Sequence, residues 1–278
     1  EMRKIAWLAG TVLSLSAPAV AQEFSTDLAR HDLFYSGAQI DIRLTRLQGG
    51  EITWDYVNER GWGEVSDAIL LDDGNILVAS MFNIFEVNPD KQIMWHYDIP
   101  LRREVHTIQP IGKDRVVFVE NAKPYARVVV LNVWTKERER EFEVPVRFGA
   151  SAHGQFRCCR LTPRGTLLVA NTTLGRITEY DCDGKTVTEW KVPSPWDVKE
   201  LANGHILFTS NAGFVREFDP STGETVWEIR MRDIPGFRMT SLQRAWRLPD
   251  GNTIIGNWYN SWSSRDFAKF NPANPPAQ

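Results

Sequence analysis

The sequence predicts an all-β fold, a six-bladed β-propeller, on three observations. Short β-rich runs follow turn signals at regular intervals, and a hairpin closing on an aromatic residue recurs along the chain. Helical periodicity is absent beyond the first 21 residues, which removes α-solenoids and α/β folds. In each turn signal Gly, Asn or Asp, residues that accept φ > 0, stand ahead of a run that reads as a return strand. Asp73-Gly-Asn75 precedes Ile76-Leu-Val-Ala-Ser80, Lys113-Asp114 precedes Arg115-Val-Val-Phe-Val119, and Arg164-Gly165 precedes Thr166-Leu-Leu-Val-Ala170. Asn203-Gly204 and Asp250-Gly-Asn252 stand likewise before His205-Ile-Leu-Phe-Thr209 and Thr253-Ile-Ile-Gly256.

The recurring hairpin is clearest in three copies: Phe85-Glu-Val-Asn-Pro-Asp-Lys-Gln-Ile-Met-Trp95, Tyr180-Asp-Cys-Asp-Gly-Lys-Thr-Val-Thr-Glu-Trp190 and Phe218-Asp-Pro-Ser-Thr-Gly-Glu-Thr-Val-Trp227. Residues 131–142 are a degenerate copy, and residues 47–54 are the copy nearest the N-terminus. The closing aromatics Trp54, Trp95, Phe142, Trp190 and Trp227 are 41, 47, 48 and 37 residues apart. A period of about 40–50 residues holding four short strands is that of a propeller blade. An all-β sandwich is the competing architecture, and regular hairpin-plus-Trp copies argue against it.

Blades are expected at residues 32–56, 64–97, 104–144, 153–192 and 194–229, with the first two strands of a sixth at 240–258. The first blade shows three strands, and the partner hairpin of the sixth is missing. The chain therefore reads as truncated at the C-terminus with the ring incomplete, about 40 residues being expected beyond Gln278 to close it.

Composition fits an ordinary folded chain. Of 278 residues 42% are hydrophobic and 24% charged, which excludes disorder, collagen and a multi-span membrane protein. Lys+Arg is 32 against Asp+Glu 35, a net charge of -3, so no nucleic-acid partner is expected. Eleven Trp and 14 Phe beside 3 Cys point to a core held by aromatics rather than disulfides. Residues 1–21 read as a signal peptide: Arg3 and Lys4 form a positive start, residues 5–15 are mostly apolar, and Ala19-Val-Ala21 supplies a small-residue cleavage site. The apolar stretch falls short of the ~18 residues that span a bilayer. Residues 22–278 are thus expected to be one secreted or periplasmic propeller domain with no membrane span after cleavage, and no Cys at the cleavage site marks a lipoprotein.

The hairpin of residues 218–227 resembles the repeat of the PQQ-like, or quinoprotein-type, β-propeller superfamily. The mature chain resembles uncharacterised secreted six-bladed members of that group and, more distantly, arylsulfotransferase-type propellers. The resemblance is specific for fold and weak for chemistry, because that group includes enzymes and scaffolds. PQQ is not expected, since the dehydrogenases that bind it resemble rings of eight blades in a much longer chain, and no other cofactor is predicted.

In a propeller the first strand of each blade lines the channel. Aligning the blades on their hairpin turns sets Glu64 and Ser66, Glu104 and His106, Gln155 and Arg157, Ser194 and Trp196, and Ser241 and Gln243 at matching positions. Residues two apart on a strand share a face, so these side chains project the same way. One register on stand Asp67, Thr107, Cys158, Asp197 and Arg244, and His153 lies just upstream. Glu64, Asp67, Glu104, Gln155, Arg157, Gln243 and Arg244 are the candidate ligand-binding residues, and His106 and His153 the candidate catalytic ones if the chain is an enzyme.

Guanidinium groups fork onto carboxylate or sulfate, imidazoles move protons, and carboxylates orient an imidazole or hold a cation. No HxxxH or CxxC spacing is present, so no metal site is predicted, while Glu64, Glu104 and His106 can hold a bound cation. Polar groups that merely solvate a water-filled channel are the competing reading. Cys158 and Cys159 are adjacent on an expected strand, where neighbours face opposite ways, which opposes a disulfide between them. Two functions stay open. One is a propeller binding a polar or anionic small molecule, a glycan or a protein at its channel rim. The other is a transferase or lyase of arylsulfotransferase type, using a rim His with Arg157 and Arg244 as anion binders.

Overall fold

The computed structural model describes residues 5–9, 32–37, 43–49, 51–57, 64–230, 233 and 241–257. Strands β2 (Leu33–Gly37), β3 (Arg43–Gln48) and β4 (Glu51–Val57) form a first antiparallel blade. A second runs through β5 (Asp67–Leu70), β6 (Ile76–Ser80), β7 (Asn83–Val87) and β8 (Ile93–Asp98). The third holds β9 (Glu104–Ile111), β10 (Arg115–Asn121), β11 (Ala126–Asn132) and β12 (Arg138–Val144). The fourth holds β13 (Phe156–Leu161), β14 (Leu167–Asn171), β15 (Arg176–Tyr180) and β16 (Thr186–Lys191). The fifth holds β17 (Pro195–Glu200), β18 (Ile206–Ser210), β19 (Phe214–Phe218) and β20 (Thr225–Arg230).

The chain is an all-β propeller, and the expected count of six blades is corrected to five. After the fifth blade comes a hairpin, β21 (Leu242–Arg247) and β22 (Thr253–Asn257), and its further neighbour is β1 (Ile5–Ala9), which joins β22 in parallel. A blade is a consecutive antiparallel meander, and this sheet is not one. Among the described residues no core cluster links the hairpin to the first blade, whereas every other neighbouring pair has one. The expectation of an incomplete ring is compatible with this arrangement in part. Residues 1–4 and 10–21 of the expected signal segment lie outside the described residues, as do residues 240 and 258 at the ends of the expected sixth blade. No helix among them is long and apolar enough to cross a membrane.

The burial pattern follows from stacking sheets face to face. Second strands β6, β14 and β18 are buried at all five positions, since both faces meet a neighbouring blade. Fourth strands alternate or lie open, as in β16 and β20. Clusters of apolar side chains fill each seam; Phe208, wholly buried between the fourth and fifth blades, is held there by roughly 1.5–3 kcal/mol of burial.

The closing aromatics bind successive blades at the rim. Trp54 Nε1 donates to Pro89 O across the first seam at 2.8 Å, and Trp190 Nε1 to Pro220 O across the fourth at 3.1 Å. Where Phe142 closes the third blade, its ring lies against Gly184 in the next hairpin turn. That glycine has φ +82, and a Cβ there would run into the ring. First strands β5, β9, β13, β17 and β21 meet one another around the hub. Their side chains make the site.

Candidate functional site

Charges in the hub form two tiers one register apart. The entrance tier gathers around Glu104, which opens β9. His106 Nε2 and His153 Nδ1 each lie 2.9 Å from the same Glu104 oxygen, and the two rings meet edge to face with centroids 4.9 Å apart. His106 is wholly buried on β9, while His153, on the short 3-10 turn Ala152–Gly154 ahead of β13, is 41% exposed. Two neighbouring blades thus bring their imidazoles to one carboxylate.

The other nitrogen of each ring turns toward Glu64, just ahead of β5. Glu64 Oε1 is 3.4 Å from His106 Nδ1 and 3.9 Å from His153 Nε2. Arg157, buried on β13, donates through Nη1 to that same Glu64 oxygen and stands 3.0 Å from His106 Nδ1. A guanidinium can only donate, so His106 Nδ1 accepts and its Nε2 carries the proton that bonds Glu104. Ser66 Oγ lies 2.8 Å from His106 Nδ1 and 3.1 Å from Glu64 Oε1, so its single proton serves one of two acceptors. Arg157 also lies over the Trp196 ring, 4.4 Å from its centroid.

Burial alone would raise the Glu104 carboxyl, but hydrogen bonds from His106 and His153 outweigh it and hold it down to about 2. Glu64 is likewise raised by burial and lowered further by His106 and Arg157, ending well below the usual carboxylate range. Both are anions at any physiological pH. Two carboxylates against one guanidinium leave the entrance short of positive charge.

The interior tier is closed. Asp67 accepts Arg160 through two bonds of 2.9 Å, Arg244 Nη2 at 3.0 Å, the Ile108 N–H at 3.1 Å and the Thr107 hydroxyl at 3.2 Å. Asp197 accepts Arg244 Nη1 and Cys158 Sγ at 3.2 Å each, the Ala245 N–H at 3.1 Å and Lys199 Nζ at 3.3 Å. Against burial, which raises both carboxyls, Arg160 and Arg244 lower Asp67, and Lys199, Arg244 and Arg160 lower Asp197, below their ordinary value. Burial pushes the Cys158 thiol up to about 11 and Cys159 to about 12, and both are free. They face opposite seams, as strand alternation requires.

The structure therefore brings Glu64, Glu104, His106, His153 and Arg157 together and sets Asp67 and Arg244 apart, in the interior tier. Gln155 is wholly buried with neither amide atom partnered among the described residues, and Gln243 bonds Ser241 at 2.8 Å. Neither side chain is hydrogen-bonded to the histidines among the described residues. Both arginines already hold carboxylates: Arg157 gives Nη1 to Glu64, and Arg244 spends both terminal nitrogens on Asp67 and Asp197. Sequence reasoning missed Arg160 and Lys199. Each lies two residues beyond an interior-tier position, after Cys158 and Asp197, so the same period-two rule carried one step further finds them.

No protein-family model and no curated protein matches the sequence. Solved structures do match in fold. A protein of unknown function from Bacteroides caccae aligns with TM-score 0.72 at 20% identity, covering 85% of this chain and 85% of that one. The WD40 β-propeller domain of Doa1 aligns with TM-score 0.55 at 17% identity, covering 68% of this chain and 62% of that one. Virginiamycin B lyase from Staphylococcus aureus aligns with TM-score 0.50 at 18% identity over the same shares, 68% and 62%. At these identities the likeness shows the β-propeller fold.

Proposed function

We propose that the protein is a secreted or periplasmic PQQ-like propeller that binds a polar small molecule or glycan at its hub entrance, with His153 as the group that meets the ligand. One observation carries this reading: His106 and His153 share one Glu104 oxygen at 2.9 Å each, yet His153 stays 41% exposed. A ring oriented by a part-buried carboxylate and open to solvent can offer its other nitrogen to a hydroxyl or exchange a proton with it. Leu101 and Phe148 stand exposed on the loops that lead to Glu104 and His153, apolar surface suited to the face of a sugar ring. The positive start and small-residue site of residues 1–21 support export.

The charge balance favours a neutral, hydroxyl-bearing ligand over a sulfate or carboxylate. Arg157 meets His106 as an anion-handling transferase requires, but its Nη1 is committed to Glu64, whose negative charge opposes an incoming anion. The reading is tested by thermal shift and NMR titration with cellobiose, maltotriose, trigalacturonate and p-nitrophenyl sulfate, in the wild type and His153→Ala. The expected result is a response to at least one neutral saccharide, larger than to p-nitrophenyl sulfate, that the variant loses. Identical responses of wild type and variant to every probe would overturn it.

A further inference from the structure

We propose that Glu64, His106 and His153 form a three-ligand site for a divalent transition metal, zinc above all, with Glu104 as the shared outer carboxylate that presents both imidazoles. One ligand-type atom from each of the three lies within 4.8 Å of the others, and Glu64 Oε1 is 3.4 Å from His106 Nδ1 and 3.9 Å from His153 Nε2. Donors around a tetrahedral zinc stand about 3.3 Å apart, so closing on the ion takes shifts of an ångström or so. The tautomers are already set for it. Glu104 takes the proton-bearing nitrogen of each ring, which leaves the lone pairs of His106 Nδ1 and His153 Nε2 on the side of Glu64. A carboxylate behind a ligating histidine is what orients the ring and raises its basicity. Two imidazoles and one carboxylate suit zinc or its first-row neighbours and leave a coordination position open for water or a ligand oxygen.

The three ligands come from three different blades, so metal binding would tie the second, third and fourth together at the hub. One group competes for the seat. Arg157 Nη1 donates to Glu64 Oε1 and stands 3.0 Å from His106 Nδ1, placing a positive charge where the ion would sit, and Ser66 Oγ lies 2.8 Å from the same nitrogen. Arg157 already lies over Trp196 while it bonds Glu64, and its buried Nε has no partner among the described residues. Loading the ion moves Nη1 off Glu64 and leaves the guanidinium stacked on the indole.

This site shares His153 with the proposed ligand-binding entrance but does not depend on it, because zinc titration needs no organic ligand and the failure of one leaves the other standing. The test is calorimetric titration of zinc chloride into the EDTA-treated full chain. The wild type is expected to bind one ion at a site that His153→Ala and Glu64→Gln each weaken by at least about tenfold, and that Glu104→Gln weakens by about 10–100-fold without removing a ligand. Arg157→Met, which clears the competing charge, is expected to tighten it. Equal zinc affinity in wild type, His153→Ala and Glu64→Gln overturns the proposal, as does an Arg157→Met protein that binds no more tightly. Should Arg157→Met fail to fold, X-ray absorption of the zinc-loaded wild type decides. A shell of two imidazoles and a carboxylate supports the site, and a shell containing sulfur, from Cys182, or water alone overturns it.

Discussion

The two tiers of the hub are built from the same residue types at neighbouring registers and reach opposite electrostatic outcomes. In the interior, Arg160, Lys199 and Arg244 face Asp67 and Asp197, and the carboxylate oxygens are saturated with donors. At the entrance, Glu64 and Glu104 face a single guanidinium and two imidazoles whose second nitrogens point at one oxygen. A saturated network ties the second, third, fourth and fifth blades to the β21–β22 hairpin and has nothing left to offer a ligand. An undersupplied one opens to solvent through His153, which is why the proposed binding is placed there.

Removing one anion from the interior is the harshest way to break that contrast. Asp67→Ala removes a buried carboxylate and leaves the part-buried Arg160 and Arg244 without their main partner, and urea unfolding is expected to show a loss of roughly 3–5 kcal/mol. A loss under about 1 kcal/mol would mean that the interior tier does not hold the hub together. Acid should act on the same groups more gradually. Asp67 and Asp197 have folded values below the ordinary ~3.9, so their contribution is fully present above that value and is lost as pH falls toward the folded one. Urea midpoints should therefore hold steady down to about pH 5 and fall steeply below about pH 4, with a shallower fall in Asp197→Asn.

Thiol chemistry sharpens the contrast by asking whether the interior opens. Cys158 and Cys159 are buried with raised thiols, and Cys182 is exposed. A disulfide reagent is expected to react at Cys182 in the native protein and at all three cysteines only in denaturant. Rapid native labelling of Cys158, read by mass spectrometry, would count against a sealed hub. The smallest effect belongs to the entrance: His153→Ala is expected to change unfolding free energy by less than about 0.5 kcal/mol. A larger cost would make His153 a structural residue rather than a ligand-facing one.

Much of the architecture was legible in the residues. Turn signals such as Asp73-Gly-Asn75 and the spacing of Trp54, Trp95, Phe142, Trp190 and Trp227 located the strands and named the propeller. The blade count was not legible, because the hairpin at residues 242–257 looks like the start of a blade until its neighbours are known, and one of them is the parallel strand β1. At the entrance, period-two alternation placed Glu64, Glu104, His106 and Arg157 on a common face. It could not tell that Arg157 would give Nη1 to a carboxylate 93 positions away, or that Arg244 would bridge Asp67 and Asp197.

Turn chemistry and side-chain alternation act over a few residues, so they are written into the order of amino acids. They specify hairpins, repeat length, aromatic seams and which side chains look toward the axis. Pairing in the hub is a different kind of property. Whether Glu64 receives Arg157 or a metal ion, and whether two imidazoles converge on Glu104, depends on which first strands lie side by side and how far each side chain reaches. Those distances exist only once the blades have packed, because the energy of a buried charge is set by the few ångströms to its partner.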